Sequence, residues 1–203
     1  MARPKKQEAR RSQLTEAARR AVLERGLFGL RLGDVAEQAG MSPGSVLYYF
    51  PTLTELLHEV QREAIARFCA AREEAVRDEP DPRRRLLTMI KSGLPDGSAD
   101  ELAFLLYELG AFARKDPAYA ARYIELYQRQ VAIYLGILEA GAATKTFRLN
   151  GDALSIARNL VILEDGYGLH MTMAVPTYDP ATAERQILAY ASVATGCELG
   201  DTP

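Results

Sequence analysis

The sequence predicts an all-α fold in which a small N-terminal three-helix domain precedes a larger helical domain. Apolar residues recur at helical spacing almost throughout, whereas the alternation typical of strands is nearly absent. Gly and Pro interrupt these segments where helices are expected to end. The 203 residues, 48% of them apolar, suffice for a full core in one or two domains. We place the boundary so that residues 1–51 form the first domain and residues 52–203 the second.

A helix-turn-helix is predicted over residues 30–50, after a first helix that ends near Gly26. Gly40 follows the apolar stripe of the second helix, where a helix end favours a residue that tolerates positive φ. Ser42 and Pro43 then start the third helix, because serine caps helices well and proline suits the first helical position. Two short helices around such a turn can place one helix in the major groove of DNA.

The exposed side of the third helix is predicted to carry Ser45, Tyr48 and Tyr49. An ordinary helical hairpin within a core is the alternative, but such a hairpin would typically expose Glu and Lys pairs. Hydroxyl groups on this side can contact phosphates and base edges. The sequence therefore favours a nucleic-acid interface, with double-stranded DNA as the partner.

Charge is distributed unevenly along the chain. Residues 1–50 carry a net charge of +4 and the remainder carries −6, which gives the overall −2. Basic residues crowd the first eleven positions, and they are Arg3, Lys5, Lys6, Arg10 and Arg11. We expect a flexible basic arm that contacts phosphates or the minor groove, with a solvated tail as the alternative.

Six further helices are predicted after the helix-turn-helix, each bounded by Gly, Pro or a capping residue. The first of them begins at a capping box, Thr52 to Glu55, and is long enough to connect the two domains. The predicted spans are residues 52–77, 82–92, 98–114, 116–143, 152–173 and 181–195.

The segment from Gly26 to Leu57 resembles the N-terminal DNA-binding domain of the TetR family of bacterial transcription regulators. The matching elements are Gly26-Leu27, Asp34-Val35-Ala36, Ala39-Gly40-Met41-Ser42, Gly44-Ser45, Tyr49-Phe50 and Glu55-Leu56-Leu57. The resemblance implies about nine helices, with a C-terminal domain for ligand binding and dimerisation. It also implies a repressor that binds a palindromic operator as a homodimer, with its two reading helices about 34–36 Å apart. A small organic effector would release such a repressor from DNA.

The resemblance implies DNA contacts from the start of the second helix and from the third helix. Together with the basic arm inferred from charge, the predicted set is Arg3, Lys5, Lys6, Arg31, Ser42, Pro43, Gly44, Ser45, Tyr48 and Tyr49. The leading turn of the third helix, residues 43–45, would face base edges, whereas Arg31, Ser42, Tyr48 and Tyr49 would contact the DNA backbone. Arg31, Leu47 and Leu53 depart from the family pattern, which usually has Thr, Tyr and Lys there, so individual contacts are expected to differ.

Polar side chains occur within otherwise apolar helices of the second domain, and eight of the ten tyrosines lie beyond residue 100. Tyrosine combines an apolar ring with a polar tip, which suits a pocket lining, and buried carboxylates need partners. The predicted ligand-binding set is Glu108, Phe112, Tyr123, Tyr127, Glu164, Asp165 and His170. The alternative for the tyrosines is an interface between helices, where the rings pack and the hydroxyl groups reach water. The alternative for the carboxylates is an arginine partner, such as Arg122 or Arg158.

Carboxylates beside tyrosine rings favour a cationic amine as the effector over a neutral aromatic or acyl compound. Gly166 and Gly168 lie within the helix predicted over residues 152–173, where glycine disfavours the helix by about 1 kcal/mol relative to alanine. Their presence indicates that a ligand or a second helix needs room at this point.

The last two predicted helices carry apolar faces that favour a four-helix bundle across a two-fold axis. The predicted interface residues are Leu154, Ala157, Leu160, Val161, Ile187, Leu188 and Ala191. An internal core is the alternative for the same residues.

Other function classes are disfavoured by what the sequence lacks. With two histidines, no metal-binding cluster and no phosphate-binding Gly loop, neither an enzyme nor a cofactor is expected. Cys69 and Cys197 are expected to act as small apolar residues. Since no long apolar segment or signal peptide is found, we expect a cytoplasmic protein with no membrane partner. The alternatives are a regulator controlled by a protein partner and, more remotely, a small helical enzyme.

Overall fold

The computed structural model describes the backbone of residues 2–200 and the side chains of residues 6–200. Nine α-helices and one 3-10 turn, Ala111–Arg114, lie within this described part, which contains no strand. The helices are α1 Ala2–Arg25, α2 Leu32–Ala39, α3 Pro43–Tyr49, α4 Leu53–Arg77, α5 Pro82–Gly93, α6 Glu101–Gly110, α7 Pro117–Ala143, α8 Ala153–Thr172 and α9 Pro180–Thr195. The predicted fold class is therefore confirmed.

One predicted helix is too long, and the basic arm has a regular structure. The helix predicted over residues 98–114 begins at Glu101 and ends at Gly110, after which the chain tightens into the 3-10 turn. The basic arm forms the start of α1, which begins at Ala2. Alanine, lysine, arginine and glutamine favour helix, which gives a physical reason for this extension. The side chains of Arg3 and Lys5 lie outside the described residues.

The chain divides into two compact units. The first contains residues up to 66 together with residues 104–123, and the second contains residues 67–103 and 124–203. The boundary between the units differs from the domain boundary predicted after residue 51, because α4 supplies Leu56, Leu57 and Val60 to the core of the first unit. α4 is one continuous helix that contributes residues to both units.

The core of the first unit joins the helix-turn-helix to its neighbours. Small residues on α1 allow α2 and α3 to approach closely. Leu105, Leu109 and Tyr119 complete the same core from the second segment of this unit. The other buried members are Leu14, Ala17, Ala18, Ala21, Val22, Leu27, Val35, Ala36, Val46 and Phe50.

The second unit is held by a core to which α5, α7, α8 and α9 all contribute. Three of its helices begin at aspartates that accept hydrogen bonds from backbone N–H groups, the usual N-cap arrangement. Asp81, Asp152 and Asp179 cap α5, α8 and α9, with N···O distances of 3.0, 2.8 and 2.7 Å. Among the described residues, no helix combines the length and the apolar character that crossing a membrane requires.

Candidate functional site

The turn between α2 and α3 has the predicted geometry. Gly40 adopts a left-handed conformation, with φ 63° and ψ 36°, and directs the chain away from α2. At the start of α2, the Asp34 carboxylate accepts a hydrogen bond from the Arg31 backbone N–H at 2.7 Å. Arginine has no acceptor with which to complete a capping box. Its exposed guanidinium is therefore not used in capping.

α3 presents a polar face while a single residue, Val46, anchors it in the core. The Ser42 hydroxyl caps the helix, since it accepts a hydrogen bond from the Ser45 backbone N–H at 3.2 Å. The two serine hydroxyls also lie 2.9 Å apart. Tyr48 is 75% exposed, so its ring and hydroxyl group are available for contact with a partner.

A groove of about 580 Å³ is lined by residues of α1, of α3 and of the turn between α2 and α3. Lys6 and Arg10 of α1 line it together with Ser45, Tyr48 and Tyr49 of α3. Cations and hydroxyl groups along one groove are the groups that contact a phosphate backbone. The structure thus brings Lys6 together with three of the predicted α3 contacts and adds Arg10, which was predicted only as part of the arm.

The second unit contains a buried ionic cluster. Arg72 of α4 and Glu164 of α8 are each 1% exposed, and two N–H groups of Arg72 donate to the two Glu164 oxygens at 2.8 and 2.9 Å. Arg72 also donates to the Gln130 side chain at 2.7 Å and to the Met89 carbonyl at 3.1 Å. The Tyr134 hydroxyl donates to Glu164. A bidentate pair with these extra hydrogen bonds is the geometry that a buried ion pair requires.

Burial and the Glu164 carboxylate shift the pKa values of the groups in and beside this cluster. Burial alone would lower the pKa of Arg72, but the Glu164 carboxylate holds it above its ordinary value. Burial, reinforced by Glu164, raises the pKa of Tyr134 well above its usual range, so the phenol remains a donor. Burial and the same carboxylate raise the pKa of Asp165 to about 7. Asp165 therefore titrates near neutral pH.

The partner of Glu164 is an arginine, as the alternative interpretation held, but neither of the two arginines suggested for that role. Arg122 donates to the backbone carbonyl of His58 at 2.9 Å instead. Arg158 is exposed on α8. Glu164 is thus neutralised within the chain, which weakens the prediction that it binds a cationic ligand.

The predicted ligand-binding residues are divided between the two units. Glu108, Phe112 and Tyr123 belong to the first unit, where the Glu108 carboxylate accepts from the Leu27 backbone N–H at 3.4 Å. The members in the second unit are Tyr127, Glu164, Asp165 and His170. Two other tyrosines of α7, Tyr119 and Tyr134, are only 2% and 0% exposed. Each of these two rings lies in the core of its own unit.

Most of the predicted dimer residues are internal. Ala157, Leu160, Val161, Ile187 and Ala191 have no exposed surface within a single chain. The prediction is wrong for these five, because a side chain that is buried by its own chain cannot contact a second copy. Leu154 and Leu188 are half-buried against the same core, and their role stays a prediction.

A different apolar row is exposed on the same two helices, and we call it the α8–α9 stripe. Its most exposed large side chains are Val193, Met173 and Ile162, at 71%, 65% and 58%. A hydrogen bond of 2.9 Å between Asn159 and Tyr190 joins the two helices. The stripe consists of Ile162, Gly166, Leu169 and Met173 of the α8 segment and Ala189 and Val193 of α9.

Two family sequence models match the chain. One describes bacterial regulatory proteins of the tetR family and matches residues 14–60. The other describes the C-terminal part of BetI-type transcriptional repressors and matches residues 82–194, more than half of the chain. The chain belongs to the TetR family. The resemblance seen in the helix-turn-helix to this family of bacterial transcription regulators is therefore confirmed.

Curated relatives match this TetR-family chain over part of its length. The regulator BetI of Burkholderia ambifaria is 36% identical over 90 residues, which are 44% of this chain and 46% of that protein. The regulator PksA of Bacillus subtilis is 46% identical over 50 residues, 25% of this chain and 24% of that protein. The chain thus spans about half the length of the BetI relatives that it matches, and about a quarter of the length of PksA.

Solved structures share the fold over nearly the whole chain. A TetR regulator from Haloarcula marismortui superposes with a TM-score of 0.84 at 22% identity and covers 93% of this chain and 99% of its own. A regulator from Saccharomonospora viridis in complex with choline gives 0.84 at 21% identity, covering 91% and 96%. FadR of Bacillus subtilis in complex with stearoyl-CoA gives 0.73 at 19%, covering 91% and 98%. These likenesses show a TetR-type fold.

Arg72 is the residue of this TetR-family chain that sequence reasoning missed. It lies in line with Ile65, Cys69 and Val76, at the three- and four-residue intervals of the buried side of α4. An arginine at a position that helical spacing assigns to the core is a detectable signal for a buried ion pair. The spacing alone does not tell which carboxylate is the partner.

Gly93 provides an independent test of how rigidly Glu164 is held. A Cβ at Gly93 would lie 2.1 Å from a Glu164 carboxylate oxygen, which Arg72 and Tyr134 prevent from moving away. We expect Gly93→Ala to lower the free energy of unfolding by about 1–3 kcal/mol through overpacking. Urea unfolding at fixed protein concentration measures this. Gly136→Ala is the matched control in α7, where a Cβ meets nothing within 4 Å, and equal effects of the two would contradict a fixed carboxylate.

Proposed function

We propose that this TetR-family regulator is a homodimeric repressor that binds a palindromic operator and is released by a small organic effector. The groove between α1 and α3 supports the DNA-binding part of the proposal, because Lys6 and Arg10 line it together with the hydroxyl-bearing residues Ser45, Tyr48 and Tyr49. α3 contains no Arg, Lys, Asn or Gln, the side chains that pair bidentately with bases. Specificity would therefore depend on Ser45, on apolar contacts with thymine methyl groups and on DNA shape.

Selection from random double-stranded DNA tests this proposal directly. We expect an inverted repeat with half-sites one helical turn apart, since two reading helices of a dimer face successive major grooves. Affinity for that sequence should fall steeply with salt, because phosphate contacts release counterions. If the full-length protein selected no sequence, or a single unrepeated half-site, the dimeric operator model would be wrong.

A second copy of the chain is the proposed occupant of the α8–α9 stripe. The predicted interface residues on these helices are mostly internal, which leaves the exposed row of Ile162, Leu169 and Val193 for a partner. A Cβ at Gly166 would meet nothing within its own chain, so the room that this glycine provides is directed outward. Because the stripe lies on two adjacent helices, its self-association would give a four-helix bundle.

A cationic amine is the proposed class of effector. The match of residues 82–194 to the BetI-type repressor family and the choline complex of the Saccharomonospora viridis structure support this class. The stearoyl-CoA complex of Bacillus subtilis FadR supports the acyl alternative. Since Arg72 neutralises Glu164, we assign the attraction of a cation to Asp165 in the second unit.

Calorimetric titration with choline and with stearoyl-CoA distinguishes these classes. Burial raises the pKa of Asp165 to about 7, so in the free protein this carboxyl is largely protonated below that pH. A cation favours the ionised form. Choline affinity should therefore rise with pH through neutrality, with proton release below pH 7, and Asp165→Asn should abolish this pH dependence.

The same titration has outcomes that count against the proposal. Heat with stearoyl-CoA and none with choline would reject the cationic class. Choline binding that does not change with pH, or that is unaffected by Asp165→Asn, would reject Asp165 as the cation ligand. Absence of heat with both would favour control by a protein partner.

Coupling between effector and operator is proposed to pass through α4, which contributes to both units. An effector shifts the balance between two conformers only by its different affinity for each. The coupling must therefore be reciprocal, so operator DNA would weaken effector binding by the factor by which effector weakens DNA binding.

A further inference from the structure

We propose that Arg11 is a positioning residue for the reading helix α3 and not a phosphate contact. An N–H group of Arg11 donates to the backbone carbonyl of Tyr49 at 2.5 Å. The centre of its guanidinium lies 4.0 Å above the ring of Phe50, which is itself 1% exposed. Arg11 therefore directs one N–H group and one face of its guanidinium at the protein, although it lies within the basic segment of α1.

The attachment point explains why one arginine matters for α3. Tyr49 is the last residue of the helix, so its carbonyl is one of those that have no partner within the helix. A cation at a helix C-terminus also interacts favourably with the helix dipole. α3 has only seven residues, and Val46 is its one buried side chain. Such a short helix depends on tertiary contacts for its orientation.

The neighbouring residue in sequence has a different environment. Arg10 is exposed, lines the groove beside α3 and hydrogen-bonds to Gln13 on its own helix at 2.6 Å. Consecutive residues of a helix point about 100° apart. Arg10 is therefore directed along the groove while Arg11 is directed against the end of α3, and the two substitutions should have different signatures in DNA binding.

Salt dependence separates the two roles. For a duplex selected by the wild-type protein, we expect Arg11→Met to lower affinity by about tenfold at every salt concentration. The slope of log affinity against log salt should not change. Arg10→Met is the matched control, and it should reduce the magnitude of that slope by about one, as the loss of a phosphate contact does. Arg11→Lys keeps a donor and a charge, so it should recover part of the affinity.

The positioning role of Arg11 rests on the proposed DNA binding, but different results would contradict the positioning role and the DNA binding. If the wild-type protein bound no duplex, the proposed function would fail first. If the wild type bound but Arg11→Met lowered the slope as Arg10→Met does, Arg11 would be a phosphate contact. If the affinity of Arg11→Met stayed within twofold of the wild type, Arg11 would have no role in positioning α3. If Arg11→Met does not fold, Arg11→Lys tests the proposal instead. Reduced affinity of Arg11→Lys with an unchanged salt slope would support a positioning role. Wild-type affinity of Arg11→Lys would overturn that role.

Discussion

Replacing Arg72 with methionine is expected to lower the free energy of unfolding by about 3–5 kcal/mol, because it leaves the Glu164 carboxylate buried without its cation. Both side chains are 1% exposed. Gln130 and Tyr134 cannot supply the missing charge. A loss of this size is a large part of the total stability of a typical domain. Urea unfolding followed by circular dichroism, at one fixed protein concentration, measures it.

The double variant Arg72→Met with Glu164→Leu is the control for this prediction. When both charges of a buried pair are replaced by apolar side chains of similar volume, stability is often retained or even increased. We therefore expect the double variant to be much more stable than either single variant. A double variant as unstable as Arg72→Met alone would show that packing, rather than an unpaired charge, causes the loss.

The double variant also bears on function. It removes an ionic link between α4 and α8 within the second unit while keeping the core apolar. If this link is part of the proposed coupling, the variant should fold and bind its operator but respond less to effector. An unchanged effector response would restrict the pair to a structural role.

The helices and the turn of the helix-turn-helix could be predicted from sequence because a few neighbouring residues determine where each one begins and ends. Ser42 caps α3, and Gly40 takes the left-handed conformation that ends α2. These features depend on a few consecutive residues and on backbone conformations that few residue types adopt. Charge runs do not determine conformation in the same way, so the sequence identifies the segment as basic but does not predict that it is helical.

The sites of the second unit were harder to predict, because their residues are far apart in sequence. Arg72 and Glu164 are 92 positions apart, and nothing local to either one identifies the other. The apolar residues of α8 and α9 posed a related difficulty. Helical spacing showed that these helices bury an apolar face, but the same spacing is produced by an internal core and by a dimer interface. Only the packed structure shows that Ala157 and Ile187 are internal, whereas Ile162 is exposed.

Ile162→Glu is expected to dissociate the proposed dimer and to weaken operator binding by at least about 100-fold, since two carboxylates would be brought together across a two-fold axis. Ile162 is 58% exposed in a single chain, so the substitution should not disturb folding. Light scattering coupled to size-exclusion chromatography measures the mass, and titration with the selected duplex measures affinity. Ile124→Glu is the matched control, at an isoleucine of α7 that is 53% exposed and lies outside the α8–α9 stripe. Dissociation by the control and not by Ile162→Glu would place the interface elsewhere.

Gly166→Ala gives a sharper test of the same surface, because its effects on the monomer and on the dimer are expected to have opposite signs. Within one chain the added Cβ meets nothing within 4 Å. Alanine also favours helix over glycine by about 1 kcal/mol, so the isolated chain should become more stable. If a second copy packs closely against Gly166, the same methyl group should weaken the dimer. A variant that gains both monomer stability and dimer affinity would show that the partner helix does not approach at this glycine.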